Sequence, residues 1–376
     1  MAARLLAAGA PLTVWNRSAE RITDLAAKGA RGARTPSDAA YDADVVMTML
    51  ADPVALQQVL SAPDGVAKTL RRGALLIDCS TVGPVAARAT AEQCAARGAA
   101  YVDAPVLGSV PAAQEGTLTI FAGGSAADVE RARPVLAHLG KTIMPTGEAG
   151  SANALKLVMN LLIGGQTELM AEAFLLADRV GLPPNIVTEA LNGSVLNSAF
   201  VGYKAPQLLE RKFAPLFTTA LLLKDIDLAL DLARAHGLPL PGVRAVRDAY
   251  AGAASAGRRE DDFSSVIATL DVTEGGEQPV IYEETARVDL ALAHEFAIFV
   301  RDVHIPDVVR TGCFMNARLD EGGEGQYRLV YHAALQAEVD RFLAYFAPTL
   351  RERLTARFPT GVTITRRVWT DRMRWP

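Results

Sequence analysis

Lys156 and Asn160 are the residues whose types and spacing most clearly suggest chemistry. They lie in "GEAGSANALKLVMN", residues 147–160, at the start of a long segment without proline. Residues four apart on a helix share a face, so both side chains are expected to point the same way. A lysine can exchange a proton with a substrate hydroxyl, and an asparagine can hold the neighbouring oxygen. A surface lysine beside a packing asparagine has the same spacing, so the pair alone leaves both interpretations open.

Short apolar segments between residues 12 and 145 predict the sheet that must position this pair. Helical patterns separate most of them, and this alternation is typical of a mostly parallel sheet covered by helices. The predicted strands are "LTVW", "DVVMTML", "ALLIDCS", "AYVDAPV", "TLTIFAGG" and "KTIMPTG". The first part of the chain is therefore expected to be a doubly wound α/β domain.

A change of composition at Gly150 predicts a second, all-helical domain. The segment from Ser151 to Leu182 contains no proline, so one helix of about 45 Å is expected there. Further helices run to about residue 255, with interruptions at "GLPP", "NGS" and "GLPLPG". We therefore expect a sheet domain at 1–149 and a helical domain at 150–267, hinged on the long helix.

A third domain is expected after a linker at 268–278, which contains the turn-rich "VTEGGEQ". Its predicted strands are "VIYEETARVDL", "GCFMNARL", "GQYRLVYHA" and "GVTITRRVW". One helix is predicted around "ALAHEFAIFVRDV" and another over "ALQAEVDRFLAYFAPTLRERL". The resulting β-α-β-β-α-β order is typical of a ferredoxin-like α+β domain, here at 279–376.

Composition and charge exclude several classes of function. The 376 residues are 50% hydrophobic and 21% charged, with a formal net charge of −4. This charge, with no lysine–arginine stripe among aromatics, argues against a nucleic-acid or membrane partner. Cys79, Cys94 and Cys313 lie far apart in no metal-binding spacing, so no metal is expected. Such cysteines, without a signal peptide or membrane-spanning run, favour the cytoplasm.

Several ordered motifs resemble the β-hydroxyacid dehydrogenase family, which includes 3-hydroxyisobutyrate dehydrogenase and 6-phosphogluconate dehydrogenase-like enzymes. They are "TMLAD", "IDCSTVGP", "VDAPVLGSVPAAQEGTLTIFAGG", the "GxxGxxxxxKLxxN" pattern, "LLLKDIDLAL" and "DDFSSVI". The resemblance covers about residues 1–267. It implies a Rossmann-type fold and an NAD(P)-dependent oxidoreductase that acts on a small β-hydroxy acid or semialdehyde. It also implies a homo-oligomer, such as a dimer, built through the helical domain.

The resemblance assigns roles to individual residues of this chain. Lys156 would be the catalytic acid or base and Asn160 its partner on the substrate. The residues that would contact the cofactor are Leu50, Ala51, Thr81 and Lys224. The residues that would line the substrate site are Leu107, Gly108 and Ser109. Leu107 stands where the family usually has serine, and a leucine cannot donate a hydrogen bond to a substrate carboxylate. Related imine reductases generally replace the lysine, so Lys156 favours alcohol and carbonyl chemistry.

Asn16, Arg17 and Ser18 at the end of the first predicted strand decide the cofactor. An acidic residue at this point of a nucleotide-binding sheet selects the ribose hydroxyl of NAD, whereas a nearby arginine accommodates the 2′-phosphate of NADP. The segment has one arginine and no acid. NADP is therefore predicted, with NAD the less favoured cofactor.

In the family, a strand and a Gly-x-Gly-x-x-Gly turn come before the helix that "MAARLLAAG" resembles. That strand is normally central in the sheet, and the turn holds the cofactor pyrophosphate. For the chain as written we expect a gap between two strand edges, weak NADPH binding and marginal folding. Two interpretations stay open: a natural start upstream of Met1, or a non-catalytic scaffold or regulatory protein whose dehydrogenase part has lost cofactor binding.

The C-terminal segment 279–376 resembles a small uncharacterised family with a ferredoxin-like appearance. "HIPDV" is its most distinctive phrase. His304 within it can be a ligand or a proton carrier, but a histidine at a helix end is more often structural or solvated. The resemblance suggests a regulatory or dimerising module.

Overall fold

A computed structural model describes residues 1–271, 280–323, 325–333 and 335–370. The chain divides into two compact units, Met1–Ala268 and Thr269–Pro376. Residues 272–278 of the predicted linker at 268–278 lie outside the described residues.

The strands of the first unit form two sheets. They are β1 (Thr13–Val14), β2 (Arg31–Gly32), β3 (Val45–Thr48), β4 (Leu75–Asp78), β5 (Ala100–Asp103), β6 (Val106–Leu107), β7 (Leu118–Gly123) and β8 (Gly140–Gly147). β1 pairs with β2 in a parallel two-stranded sheet. The other six form one sheet in the order β3-β4-β5-β7-β6, with β8 also paired to β7.

The larger sheet is mostly parallel, as predicted, but it includes two antiparallel pairings. β3, β4 and β5 are parallel, and so are β7 and β8. β7 is antiparallel to β5 and β6. The connection from β6 to β7 is too short for a parallel crossover, which needs a dozen or more residues. This short connection therefore accounts for the antiparallel pairing of β6 with β7.

Helices pack against the strands of both sheets. They are α1 (Ala2–Ala7), α2 (Thr23–Ala27), α3 (Pro36–Ala40), α4 (Pro53–Ser61), α5 (Gly83–Ala95), α6 (Ser109–Glu115) and α7 (Ala126–Leu136). All four residues of β4 are buried, as expected for a strand with both faces covered. At the start of α4, Asp52 accepts a hydrogen bond from the Ala55 amide at 2.7 Å, and Pro53 occupies the first helical position. These signals fix the end of the loop that carries Leu50 and Ala51.

The all-helical part begins with the predicted long helix. Its helices are α8 (Ser151–Arg179), α9 (Pro184–Asn192), α10 (Ala199–Leu209), α11 (Thr219–Ala235), α12 (Pro241–Ala253) and α13 (Val266–Leu270). Gly150 immediately before α8 has φ +91°, and a Cβ there would meet the Pro84 carbonyl oxygen at 2.9 Å. Glycine is therefore required for α8 to begin so close to α5.

The second unit has the predicted order of strands and helices. Its elements are β9 (Val280–Val288), α14 (Ala293–Phe299), α15 (Ile305–Arg310), β10 (Asn316–Gly322), β11 (Gln326–Ala333), α16 (Gln336–Tyr345), α17 (Ala347–Arg357) and β12 (Val362–Thr370). A π-helical turn at Val300–His304 joins α14 to α15. The antiparallel sheet has the order β10-β11-β9-β12, and aromatic side chains such as Tyr282, Phe296 and Tyr331 fill its core.

The single helix predicted over "ALQAEVDRFLAYFAPTLRERL" is wrong in one respect. The segment forms two helices, α16 and α17, that meet at Phe346. Pro348 lies in the first turn of α17. Proline has no amide hydrogen to donate and its ring clashes with the preceding turn, so it begins a helix more readily than it continues one.

Candidate active site

Buried hydrogen bonds fix the start of α8 against the ends of two strands. The Asp103 carboxylate, at the end of β5, accepts from the Gly150 and Asn153 amides at 2.8 Å each. The Asn153 side-chain oxygen accepts from the Val82 and Gly83 amides at 2.9 Å each. Because Asp103 and Asn153 are both fully buried, the loop after β4 and the start of α8 are held in one arrangement.

One turn further along α8, Lys156 and Asn160 meet the start of α11. The Asn160 side-chain nitrogen donates to Asp225 Oδ2 at 2.6 Å. Lys224 Nζ pairs with Asp225 Oδ1 at 2.8 Å and donates to the Thr81 carbonyl oxygen at 2.5 Å. The structure thus brings four of the predicted site residues together around Asp225. We call these five residues the lysine cluster.

Burial changes the proton affinity of this cluster. Lys156 is 9% exposed. Burial lowers the pKa of Lys156 to about 8. The attraction of the Asp225 carboxylate opposes this shift, and a smaller repulsion from Lys224 adds to it. Burial also raises the pKa of Asp225, although both lysines and Asn160 oppose that shift. Within the described residues no hydrogen bond to Lys156 Nζ is found, so its proton is available to a ligand.

The loop after β3 lies beside the segment that carries Thr81. The Leu50 amide donates to Ser80 Oγ at 2.8 Å. Thr48 donates to Asp78 at 2.8 Å, and the Ser80 amide donates to the same carboxylate at 3.0 Å. Ala51 is exposed at the tip of this loop. Leu50 and Ala51 are therefore linked to the lysine cluster through the neighbouring strand end.

The predicted substrate loop has an unusual backbone. Gly108 has φ +134°, and a Cβ there would meet the Ala112 Cβ at 2.7 Å. Ser109 has φ +62°, a conformation that costs energy for a residue with a side chain and often occurs at ligand sites. Its hydroxyl donates to the Leu216 carbonyl oxygen at 3.3 Å. Leu107 is half-buried, and the hydrogen bond of this loop goes to Leu216 and not to Lys156.

The residues predicted to choose the cofactor lie at the end of β1. The Asn16 side-chain oxygen accepts from the Ser18 amide at 2.9 Å, which turns the chain so that Arg17 is exposed. In the described part of the chain Arg17 forms no ion pair. An unpaired guanidinium beside a hydroxyl and an amide is a donor set suited to a phosphate. The residues present therefore fit the 2′-phosphate of NADP.

Asp225 is the site residue that the sequence interpretation did not name. The signal was present in "LLLKDIDLAL", where Asp225 directly follows Lys224. Only the packing of α11 against α8 shows that Asp225 joins the two helices, through its hydrogen bond with Asn160. Among the described residues no group of three or more potential ligands that could hold a metal ion is found, and none of the described helices is long and apolar enough to cross a membrane.

Family models match nearly the whole chain. The NAD binding domain of 6-phosphogluconate dehydrogenase matches residues 1–147. The NAD-binding domain of NADP-dependent 3-hydroxyisobutyrate dehydrogenase matches residues 150–270. A domain of unknown function, DUF4286, matches residues 279–371.

Curated relatives and solved structures agree with these matches. The chain is 32% identical to glyoxylate/succinic semialdehyde reductase 2 of Arabidopsis thaliana over 74% of this chain and 77% of the relative. It is 33% identical to 3-sulfolactaldehyde reductase of Escherichia coli over 73% of this chain and 93% of the relative. The structure of Mycobacterium tuberculosis 3-hydroxyisobutyrate dehydrogenase with L-serine has a TM-score of 0.66 and 32% identity, and the match covers 72% of this chain and 94% of that one. The chain belongs to the β-hydroxyacid dehydrogenase family.

Proposed function

We propose that this protein is an NADP-dependent oxidoreductase that transfers a hydride between the nicotinamide and a small β-hydroxy acid or semialdehyde. The observation that carries the proposal is the lysine cluster. In it, Lys156 is buried, has a pKa of about 8, and forms no hydrogen bond through Nζ within the described residues. The named activities of the relatives, reduction of semialdehydes and of sulfolactaldehyde, support the same class of reaction.

Lys156 would move the proton that accompanies the hydride. The bound nicotinamide supplies or accepts the hydride at the substrate carbon. In reduction, Lys156 Nζ gives its proton to the carbonyl oxygen, which becomes the hydroxyl. In oxidation, the neutral amine removes the hydroxyl proton. A pKa near 8 lets one group serve both directions near neutral pH.

Asn160 and Asp225 would position the reacting groups. The Asp225 carboxylate fixes the Asn160 amide at 2.6 Å, which leaves the second amide hydrogen of Asn160 for a substrate oxygen. The same carboxylate opposes the loss of charge on Lys156. We therefore assign Asp225 as a positioning residue that acts through Lys156 and Asn160.

The remaining predicted residues would hold the cofactor and the substrate. The residues proposed to contact the cofactor are Asn16, Arg17, Ser18, Leu50, Ala51, Thr81 and Lys224. The residues proposed to line the substrate site are Leu107, Gly108 and Ser109. Because Leu107 offers no hydrogen bond, the Ser109 hydroxyl would have to leave the Leu216 carbonyl oxygen to bind a substrate carboxylate. This supports a substrate that is bulkier or less polar next to Leu107.

A fluorescence titration with NADPH and separately with NADH tests the cofactor assignment. Arg17→Ala is expected to weaken NADPH binding about tenfold, because the variant loses one exposed charge-assisted contact with the 2′-phosphate. NADH binding should stay unchanged because NADH has no 2′-phosphate. Arg133→Ala is the matched control, since Arg133 is a partly exposed arginine on α7 that is paired with Glu130. Equal weakening of both cofactors, or a wild-type preference for NADH, would contradict the role of Arg17.

We also propose that the protein is a homo-oligomer joined through α8. Five exposed apolar side chains repeat at intervals of four and seven residues along this helix, the last of them directly after its final residue. They are Val158, Leu162, Leu169, Leu176 and Val180, each more than half exposed. On a regular helix they fall within about 40° of one another, opposite Lys156 and Asn160. Such a stripe is suited to a second copy of the chain, whose α8 presents the same surface.

For the C-terminal unit we propose a ferredoxin-like fold, and for the whole protein a cytoplasmic location. The strand order β10-β11-β9-β12 supports the fold. The three cysteines are unpaired and buried, which suits a reducing compartment. An experimental structure with another strand order would contradict the first proposal. Recovery of the protein from a secreted or membrane fraction of the cell would contradict the second.

A further inference from the structure

The C-terminal unit contains a cavity of about 400 Å³ beside α17. Its apolar lining is formed by Phe299, Val303, Leu350 and Ala356. This volume lies within the range of small-molecule sites, which are mostly apolar with a few polar groups at fixed positions. The cavity belongs to the unit that matches a domain of unknown function, and the dehydrogenase reaction does not use it.

His304 joins this cavity to a buried carboxylate. It lines the cavity, is 6% exposed, and its Nε2 lies 3.2 Å from Glu284 Oε2. The other carboxylate oxygen accepts from Arg366 at 2.7 Å and from the Tyr282 hydroxyl at 3.0 Å. Burial alone would raise the pKa of Glu284, but the contacts with His304 and Arg366 lower that pKa to about 2. Glu284 is therefore ionised, and His304 Nε2 is the donor.

Two further features mark His304 as more than a packing residue. It ends the π-helical turn Val300–His304, an irregularity that is frequent at functional sites. Its second ring nitrogen, Nδ1, has no hydrogen-bond partner within the described parts of the chain.

Two arginines stand at the cavity beside His304. Arg353 and Arg357 are four residues apart on α17 and line the cavity. Their side chains are 65% and 50% exposed, and they pair with Asp307 and Glu295. The Arg357–Glu295 pair is at the surface, so it costs little to exchange for another carboxylate. Asp307 also lines the cavity, but its largely buried carboxylate is paired with Arg310 as well as Arg353. The planar guanidinium is well suited to binding carboxylates in pairs of hydrogen bonds.

We propose that this cavity binds a small organic anion with an apolar tail, such as a medium-chain carboxylate. The tail packs against Phe299, Val303, Leu350 and Ala356. The carboxylate lies against His304, which Glu284 holds in place, and Arg353 and Arg357 supply the opposing charge. This site is independent of the nicotinamide reaction, so the protein has a second small-molecule site in its C-terminal unit.

Isothermal titration calorimetry of the full chain with octanoate tests the proposal, with octanol as the uncharged comparison. Saturable binding of one octanoate per chain, at least tenfold tighter than octanol, is expected. Failure to bind octanoate at millimolar concentration overturns the proposal. Equal affinity for octanol overturns the assignment of the anionic head group.

Three variants locate the binding. Ala356→Trp fills the cavity and should abolish octanoate binding, and Arg357→Ala should weaken it about tenfold. The control, Arg301→Ala, removes an exposed arginine that pairs with Asp302 outside the cavity and should leave binding unchanged. Wild-type octanoate affinity in Ala356→Trp would place the ligand elsewhere and overturn the proposal. The comparison of octanoate with octanol uses the wild-type chain alone, so it tests the proposed anion site even if a variant fails to fold.

Discussion

Burial of the Lys156 amine determines the pH range in which it can donate or accept a proton. An exposed lysine has a pKa near 10.4 and is a poor base at neutral pH. Here burial lowers the pKa to about 8, and Asp225 prevents a larger shift. The amine is therefore protonated at neutral pH, as reduction requires, and becomes a base slightly above it, as oxidation requires.

The pH dependence of both directions follows from this pKa. Aldehyde reduction needs protonated Lys156, so its rate should fall as the pH rises through about 8. Alcohol oxidation needs the neutral amine, so its rate should rise over the same interval. In Asp225→Asn the attraction that raises the pKa of Lys156 is removed, and both midpoints should move to lower pH. Initial rates between pH 6 and 10 measure this.

Asp227→Asn is the control for this substitution. Asp227 lies two residues along α11 and pairs with Arg247 at the surface, so the midpoints should not move. If Asp225→Asn lowers the rate with no change in either midpoint, Asp225 has only a structural role. A shift to higher pH would contradict the electrostatic account.

At the scale of elements, the start of α8 positions the site. Asp103 and Asn153 join β5, the loop after β4 and α8 by buried hydrogen bonds. Lys156 lies one turn beyond Asn153, so a shift of this helix start would move Lys156 relative to Thr81. The hydrogen bonds of Asn153 therefore contribute both to the stability of the first unit and to the position of Lys156.

Asn153→Ala should destabilise the first unit. The substitution leaves the buried Val82 and Gly83 amides without their acceptor, which costs about 2–4 kcal/mol for two buried donors. The apparent unfolding temperature should fall by about 5–10 °C, measured by circular dichroism. Asn192→Ala, at an exposed position on α9, should leave it within about one degree. An unchanged unfolding temperature in Asn153→Ala would mean that the loop finds other acceptors.

The sequence predicted those elements that depend on local pattern. β4 is a continuous apolar run, and α8 has helical periodicity with no proline, so both were predictable. The family motifs led to Lys156, Asn160, Thr81 and Lys224. Asp225 joins them only through the packing of α11 on α8, which no local pattern encodes. The break at Phe346 was missed because Pro348 outweighed the apolar pattern. The direction of β7 depends on the short connection from β6, which the apolar pattern does not encode.

At the scale of the whole molecule, α8 presents two different surfaces on opposite faces. One face carries Lys156 and Asn160, and the other carries the apolar stripe of Val158, Leu162, Leu169, Leu176 and Val180. Burial of this stripe against a second copy would remove apolar area from water and add to the stability of the helix that carries the proposed catalytic lysine. Oligomerisation and catalysis would then depend on the same element.

The double variant Leu169→Asp/Leu176→Asp should dissociate the oligomer. Two charges per chain cannot be buried in a symmetric apolar interface without partners. Light scattering coupled to size exclusion should report a single chain of 39.9 kDa for the variant and a multiple of this mass for the wild type. Leu196→Asp, at an exposed leucine outside α8, should keep the wild-type mass. A monomeric wild-type protein would contradict the proposed interface.

The most direct test of the proposed function is NADPH consumption by the wild-type chain and by Lys156→Ala with a panel of small aldehyde acids, such as succinic semialdehyde and glyoxylate. Lys141→Ala, at an exposed lysine on β8, is the control. We expect consumption with at least one aldehyde, a turnover about 10²–10⁴-fold lower in Lys156→Ala, and no change in Lys141→Ala. Wild-type turnover in Lys156→Ala, or no consumption of either NADPH or NADH with any aldehyde, would contradict the account.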